Sequence, residues 1–469
     1  MQHIAVLIKS FATRASAALI MTAKMLAVLV FCLVPSPCCL HAADHTLDLT
    51  RALALALEHD PRLAGMRHEG DATKEVLRQA WGAVLPVLAA EGVHTETTQN
   101  IISTDNQVFG SGKSDFPTTE YTLTLTQPVF NFASFKNIQR AREIVRSSEL
   151  ELEAARQDLA VRVAMAYFRV LAAGDRLEAT EAEETAVSSH HELISERFNR
   201  GLSTRTEFYD AKARLAEVQA TRLIAESDLD DAHQALKEII GRPAGNLVPL
   251  RDELPLVPAD PADAESWIDA AIQQNPSLEA LRRTVEAARK EIQRQRAGHY
   301  PHVNLEANYN WRDTKGTLFG GGSEVETTNF LVRMNVPLYQ GGIVSSRTRE
   351  ATHLMKASLQ DEERLTRSLQ REVRAAFFGV GNSIQRVQAL AEAVEAQRLA
   401  LEGKKEGHRS GLYTILAVLD GERDYSLARQ NYAMARYDYI INSLILKQTV
   451  GTLGGDDIAA VNGWLKDSL

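Results

Sequence analysis

The sequence predicts a mixed α and β chain in two duplicated halves, each supplying two strands of a membrane β-barrel and one long helical hairpin. Three observations carry that fold class. The chain is written twice at an offset of about 210 residues: Gln127-Pro128-Val129-Phe130 answers to Asn335-Val336-Pro337-Leu338-Tyr339, Ala166-Tyr167-Phe168 to Ala376-Phe377-Phe378, Gly201-Leu202 to Gly411-Leu412, Asp210 to Asp420 and Gly241 to Gly451. A repeat of this length marks a pseudo-symmetric object. Each half holds two segments with apolar and polar residues in alternation, the strand period. Each also holds a helical tract far longer than the dozen residues of an average helix.

The first 43 residues read as a leader. Lys9, Arg14 and Lys24 are their only charges, Met25 to Val34 is apolar, and His41-Ala42-Ala43 is a plausible processing site. Cys32, Cys38 and Cys39, all three cysteines of the chain, lie inside it. The remaining chain therefore has no disulfide, thiolate chemistry or cysteine-ligated metal. Removing the three positive residues takes the formal charge from −9 to −12, and an acidic exported protein is a poor nucleic-acid binder. The expected boundaries are a signal peptide 1–43, a first half 44–250, a second half 251–453 and a tail 454–469.

Each half opens with a short helix, Asp60-Pro61 answering to Asn275-Pro276, then a second helix ending near Pro86 or Pro301. Strands are expected at about 87–98, 119–130, 302–312 and 327–339. In Val303 to Arg312 every odd position is apolar and every even one polar; Tyr121, Leu123 and Leu125 alternate with Thr122, Thr124 and Thr126. Phe330, Val332, Met334 and Val336 also alternate, with Leu331 the exception, and the first strand alternates poorly. The stretches Ile101 to Pro117 and Thr314 to Glu326 are rich in Gly, Ser, Thr and Asp and are expected as surface loops. Hairpins are expected at about 132–240 and 343–450. Leu159, Val163, Ala166, Val170, Ala173 and Leu177 step by four and three, a heptad seam repeated from Leu369 onward. Gly201 and Gly411 break the tracts where a tight reversal needs φ > 0.

Period two with one apolar face fits a soluble sandwich as well as a barrel wall. Ten-residue strands, the aromatics Tyr121, Tyr309, Trp311 and Phe330, and a polar face of Asn, Glu, Thr and Arg favour the barrel. No stretch after the leader approaches the 18 or so apolar residues of a spanning helix. Four strands cannot close a barrel, and an open sheet in lipid would leave backbone groups unpaired at both edges. The strands must then pair between subunits, two chains giving eight and three giving twelve.

The stretches Gly411-Leu412-Tyr413-Thr414-Ile415-Leu416-Ala417-Val418-Leu419-Asp420, Ala435-Arg436-Tyr437-Asp438-Tyr439 and Gly451-Thr452-Leu453, with Gly201 to Ala211 in the first half, resemble the TolC-type outer-membrane efflux and secretion channels. The resemblance covers the whole chain after the leader. It implies a homotrimer with a twelve-stranded barrel in outer-membrane lipid, continuous with a twelve-helix periplasmic tunnel. It also implies a passive exit duct for type I protein secretion or multidrug efflux. The partners implied are a periplasmic adaptor (membrane fusion protein) and an inner-membrane ABC or RND pump, with no cofactor and no nucleic acid. The tip would close at rest through Thr206 and Glu207 on the first hairpin and His408 and Tyr413 on the second. Arg205 would supply a charge where Tyr413 replaces the usual basic residue. Asp420 would line the bore as an acidic ring, Ala417 having replaced the second ring. Gly201, Leu202, Gly411 and Leu412 would form the adaptor-docking tips.

No catalytic or metal site is expected. His190-His191-Glu192 lacks a second histidine at i+4 and reads as a solvated face, and Gly320-Gly321-Gly322 opens no helix. The competing reading is a soluble periplasmic coiled-coil adaptor or structural protein without a channel, which would need neither the duplication nor aromatic-flanked strands.

Overall fold

The computed structural model describes residues 46–103, 112–316 and 321–466. The leader with its cysteines and processing site, and Gly320, lie outside the described residues. The first half runs α1 (Leu49–His59), α2 (Pro61–Gly82), β1 (Val87–Ile101), β2 (Gly112–Asn131), α3 (Phe132–Asn199) and α4 (Arg205–Ile240). The second repeats the order as α5 (Ala264–Gln274), α6 (Pro276–Arg296), β3 (His302–Thr314), β4 (Ser323–Asn335), α7 (Ile343–Arg409) and α8 (Ile415–Val450), and α9 (Gly455–Asn462) follows.

The duplication extends to individual bonds. Asp60 caps α2 by accepting from Leu63 N at 2.6 Å, and Asn275 caps α6 by accepting from Leu278 N at 3.0 Å. In each case proline occupies the first helical turn, where its missing N–H costs nothing. Arg67 donates to the Leu57 carbonyl and Arg282 to that of Ile272, both at 2.9 Å. Arg176–Asp228 at 2.8 Å clamps α3 to α4, and Arg386–Asp438 at 3.1 Å clamps α7 to α8. Gly241 and Gly451 end α4 and α8 at φ +75° and +92°.

The four strands form one antiparallel sheet in the order β1-β2-β3-β4, leaving β1 and β4 as edges. Register separates its two faces. Leu123 pairs Tyr309, Leu125 pairs Ala307 and Ala307 pairs Phe330; Tyr121 stacks on its partner Trp311 at 5.5 Å between centroids. On the opposite face Thr124 pairs Asn308, Asn310 donates to Glu120 and Thr122 at 2.5 and 2.8 Å, and Arg333 holds Glu306 through two bonds of 3.1 Å. Leu331, the exception in the alternation, lies on this polar face opposite Glu306.

The ladder is longer than alternation indicates. β1 continues to Ile101 and β2 begins at Gly112, so 112–117 belongs to a strand where a loop is expected; β4 likewise begins at Ser323. Backbone pairing needs no apolar side chain, so polar residues extend the ladder past the alternating segment. Pro117 sits opposite Glu96 within it.

Below the sheet, the two hairpins pack through Phe168 stacked on Tyr437 at 5.5 Å. The Tyr167 hydroxyl reaches the Leu47 and Val248 carbonyls at 3.0 and 2.8 Å, tying the linker to α3. Burial pushes that hydroxyl above the usual phenol range. Arg251 donates to the Leu465 carbonyl at 2.8 Å, so the segment after α9 is bonded to the linker between the two halves.

Candidate functional site

The candidate site is the far end of the hairpins, where α3 turns into α4 and α7 into α8. Both turns have the same chemistry. Gly201 and Gly411 adopt φ +73° and +80°, and Leu202 N and Leu412 N reach back to the carbonyls of Arg197 and Gly407 at 2.7 Å. This is the Schellman arrangement that satisfies the last carbonyls of a helix. It leaves Leu202 and Leu412 projecting, 66% and 77% exposed.

On the first tip, Thr204 and Glu207 form a capping box. Glu207 N donates to Thr204 Oγ1 at 3.2 Å, while the Glu207 carboxylate accepts from Thr204 N at 2.9 Å and Ser203 Oγ at 2.6 Å. These bonds, the one from Ser203 foremost, hold the carboxyl below the usual carboxylate range. Arg205 lies over the Tyr209 ring at 5.5 Å, and Thr206 is exposed. On the second tip, His408 Nδ1 donates to the Tyr413 carbonyl at 2.9 Å. The Tyr413 ring covers Gly407 and leaves no room for a Cβ there. Thr414 caps α8 by accepting from Ala417 N at 3.3 Å; Ala417 occupies the position that Glu207 holds in the first half, so the box is half-made.

The structure thus gathers Arg205, Thr206 and Glu207 on one turn and His408 and Tyr413 on the other. Among the described residues no hydrogen bond or ion pair joins those two turns. The link lies deeper: Arg214 Nη2 of α4 donates to Asp420 Oδ1 of α8 at 2.8 Å. Arg214 is 22% and Asp420 45% exposed at the side chain, so the pair is half-screened. The sequence reading found Asp420 and missed Arg214. No local signal marks it, because its partner is 206 residues away and only the packing of one hairpin on the other brings them together.

Histidine 190 corrects the expectation of a solvated face. Its side chain is buried at 6% exposure, and its Nδ1 has no hydrogen-bond partner. Burial, then the Arg214 charge and His191, depress its pKa. The heptad seam continues through Val187, His190 and Ile194, all buried at spacings of three and four. Asp210, the first-half counterpart of Asp420, is exposed. Among the described residues no group of three or more acidic, His or Cys side chains could hold a metal ion, and no helix is long and apolar enough to cross a membrane.

A model of the outer membrane efflux protein family matches residues 52–242 and 267–452, one copy per half. The chain belongs to the outer membrane efflux protein family. It is 32% identical over 413 residues to outer membrane protein TolC of Vibrio cholerae, covering 88% of this chain and 92% of that protein. It is 27% identical over 417 residues to the alkaline protease secretion protein AprF of Pseudomonas aeruginosa, covering 88% and 86%. The crystal structure of the Campylobacter jejuni CmeC outer membrane channel superposes with a TM-score of 0.74 at 14% identity, covering 90% of this chain and 87% of that one. The protein is accordingly an outer-membrane channel of the efflux and secretion kind, in a family made up of channel proteins. The paired strands are its membrane part and the hairpins its extension away from the bilayer.

Proposed function

We propose that the protein is the passive outer-membrane exit duct of a tripartite export system, serving type I protein secretion, multidrug efflux or both. The observation that carries this reading is the junction of sheet and tunnel. β2 ends at Asn131 and α3 begins at Phe132, so a wall strand passes into a 68-residue helix with no linker, Asn131 itself supplying the cap. At 1.5 Å per residue that helix spans about 100 Å. Two free sheet edges need partners in lipid. Three chains of four strands close a twelve-stranded wall wide enough for a channel, and the duplicated hairpins then repeat nearly six-fold around the axis.

In this trimer the tips form the gate. Thr206, Glu207 and Arg205 on one hairpin face His408 and Tyr413 on the next, with Asp420 lining the bore behind them. The projecting Leu202 and Leu412, held out by Gly201 and Gly411, are the docking points for a periplasmic adaptor, which opens the gate on behalf of an inner-membrane ABC or RND pump. The named relatives, a TolC protein and a protease secretion protein, support the secretion and efflux assignment. The test is planar-bilayer conductance of the detergent-purified trimer with and without an adaptor hairpin. Small steps that enlarge on adaptor addition are expected; a detergent-independent monomer without conductance would overturn the reading in favour of a soluble adaptor.

A further inference from the structure

The charge of this chain is segregated along the barrel axis. Asp and Glu outnumber Lys and Arg by 61 to 52 over the whole sequence. Yet the four segments joining helices to strands, 78–86, 132–142, 292–300 and 336–349, hold eight arginines and lysines and no Asp or Glu. At the other end of the same strands, 94–103, 112–120, 310–316 and 321–327 hold three basic and six acidic residues. Net charge is therefore positive at the helical rim of the barrel and negative at the opposite end.

The rim charges are also available. Arg78 pairs with Glu75, and Arg140 and Arg294 share Glu291. Lys136, Arg142, Arg296, Arg347 and Arg349 make no ion pair among the described residues, and all but the half-buried Lys136 are exposed. Two of them are held against aromatic rings that suit a bilayer interface: Lys136 Nζ lies 5.0 Å from the Phe132 centroid, and the Arg142 guanidinium 5.6 Å from that of the exposed Trp81. Phe132 meets Tyr300 edge-on at 5.2 Å, and Leu338 and Tyr339, in the segment between β4 and α7, are 90% and 86% exposed. Apolar and aromatic side chains next to unpaired guanidinium groups match acyl chains topped by phosphate.

We propose that this rim binds the anionic phospholipid headgroups of the leaflet on the helical side, fixing the depth and tilt of the barrel. The proposal rests on the barrel assignment. Each engaged basic residue favours an anionic surface by about five-fold at moderate salt, and the preference fades as salt shortens the screening length.

The test uses Trp81 as a reporter. The full-length mature trimer carrying Trp311→Phe, which leaves Trp81 the one tryptophan at the bilayer, is reconstituted in mixed vesicles with brominated phosphatidylglycerol or brominated phosphatidylcholine. Quenching should favour phosphatidylglycerol at least five-fold at low salt and fall towards parity in 1 M NaCl. Adding Lys136→Gln, Arg142→Gln, Arg296→Gln, Arg347→Gln and Arg349→Gln should bring it to parity at low salt. Equal quenching by both lipids at low salt would overturn the proposal, as would a preference that survives both salt and the five substitutions. Quenching by neither lipid would instead overturn the barrel assignment.

Discussion

Replacing Arg214 by alanine removes the one ion pair that, among the described residues, links the two hairpins near the tip. Two unit charges about 4 Å apart attract by about 4 kcal/mol at an effective dielectric of 20. Asp420 is 45% exposed, so solvent screening leaves a net contribution of about 1 kcal/mol per bridge. Three bridges in a trimer whose tips open together amount to about 3 kcal/mol, or roughly a hundredfold in the ratio of closed to open channels. In planar bilayers Arg214→Ala should therefore raise the resting open fraction. With Asp420 lining the proposed bore, it should also raise cation selectivity, since it leaves that carboxylate bare. Asp420→Ala should open the channel comparably but lower cation selectivity, leaving an uncompensated guanidinium. In the double variant the two losses should not add, because the same bond is removed twice. Unchanged resting conductance in both single variants, or fully additive effects in the double variant, would refute the reasoning.

Three further outcomes follow from the geometry. Glu207 is held below its ordinary range by its caps, so its contribution to the tip is complete above that range and lost as pH falls through the lowered value; Glu207→Gln should abolish that acid-dependent rise in amide exchange in residues 203–210. Burial depresses His190, so the neutral ring is favoured and acidification below about 6.5 should loosen the hairpin; His190→Gln should flatten the exchange profile from there downward. Gly451→Ala forces a side chain into φ +92° with its Cβ 2.7 Å from the Gln274 carbonyl oxygen, and should cost at least about 2 kcal/mol, read as a lower temperature of trimer dissociation on a gel.

The repeat made the architecture readable. Paired glycines at the hairpin turns mark positions of positive φ, and seams such as Leu159-Val163-Ala166 mark buried helix faces, because both are local constraints repeated twice. Strand ends were less legible: residues 112–117 pair along the backbone but do not alternate apolar with polar side chains, so the sequence carries no strand period there. At the tip, residue types were visible but their partners were not. Glu207 spends its carboxylate on its own helix cap, His408 bonds the Tyr413 carbonyl, and Asp420 meets an arginine from the other half of the chain. The rim charges were present in the sequence but uninformative until the strands showed which segments share an end.

Pairing of β1 from one protomer with β4 of the next is the central claim, and cysteine cross-linking measures it directly. With the leader removed the chain has no cysteine, so one cysteine in β1, at Ala90, can be combined with one at each position of β4 in turn. At the matching register, oxidation should yield covalent species of two and three chains and none larger. Ladders running past three chains, or no cross-link at any register, would contradict a closed three-chain wall.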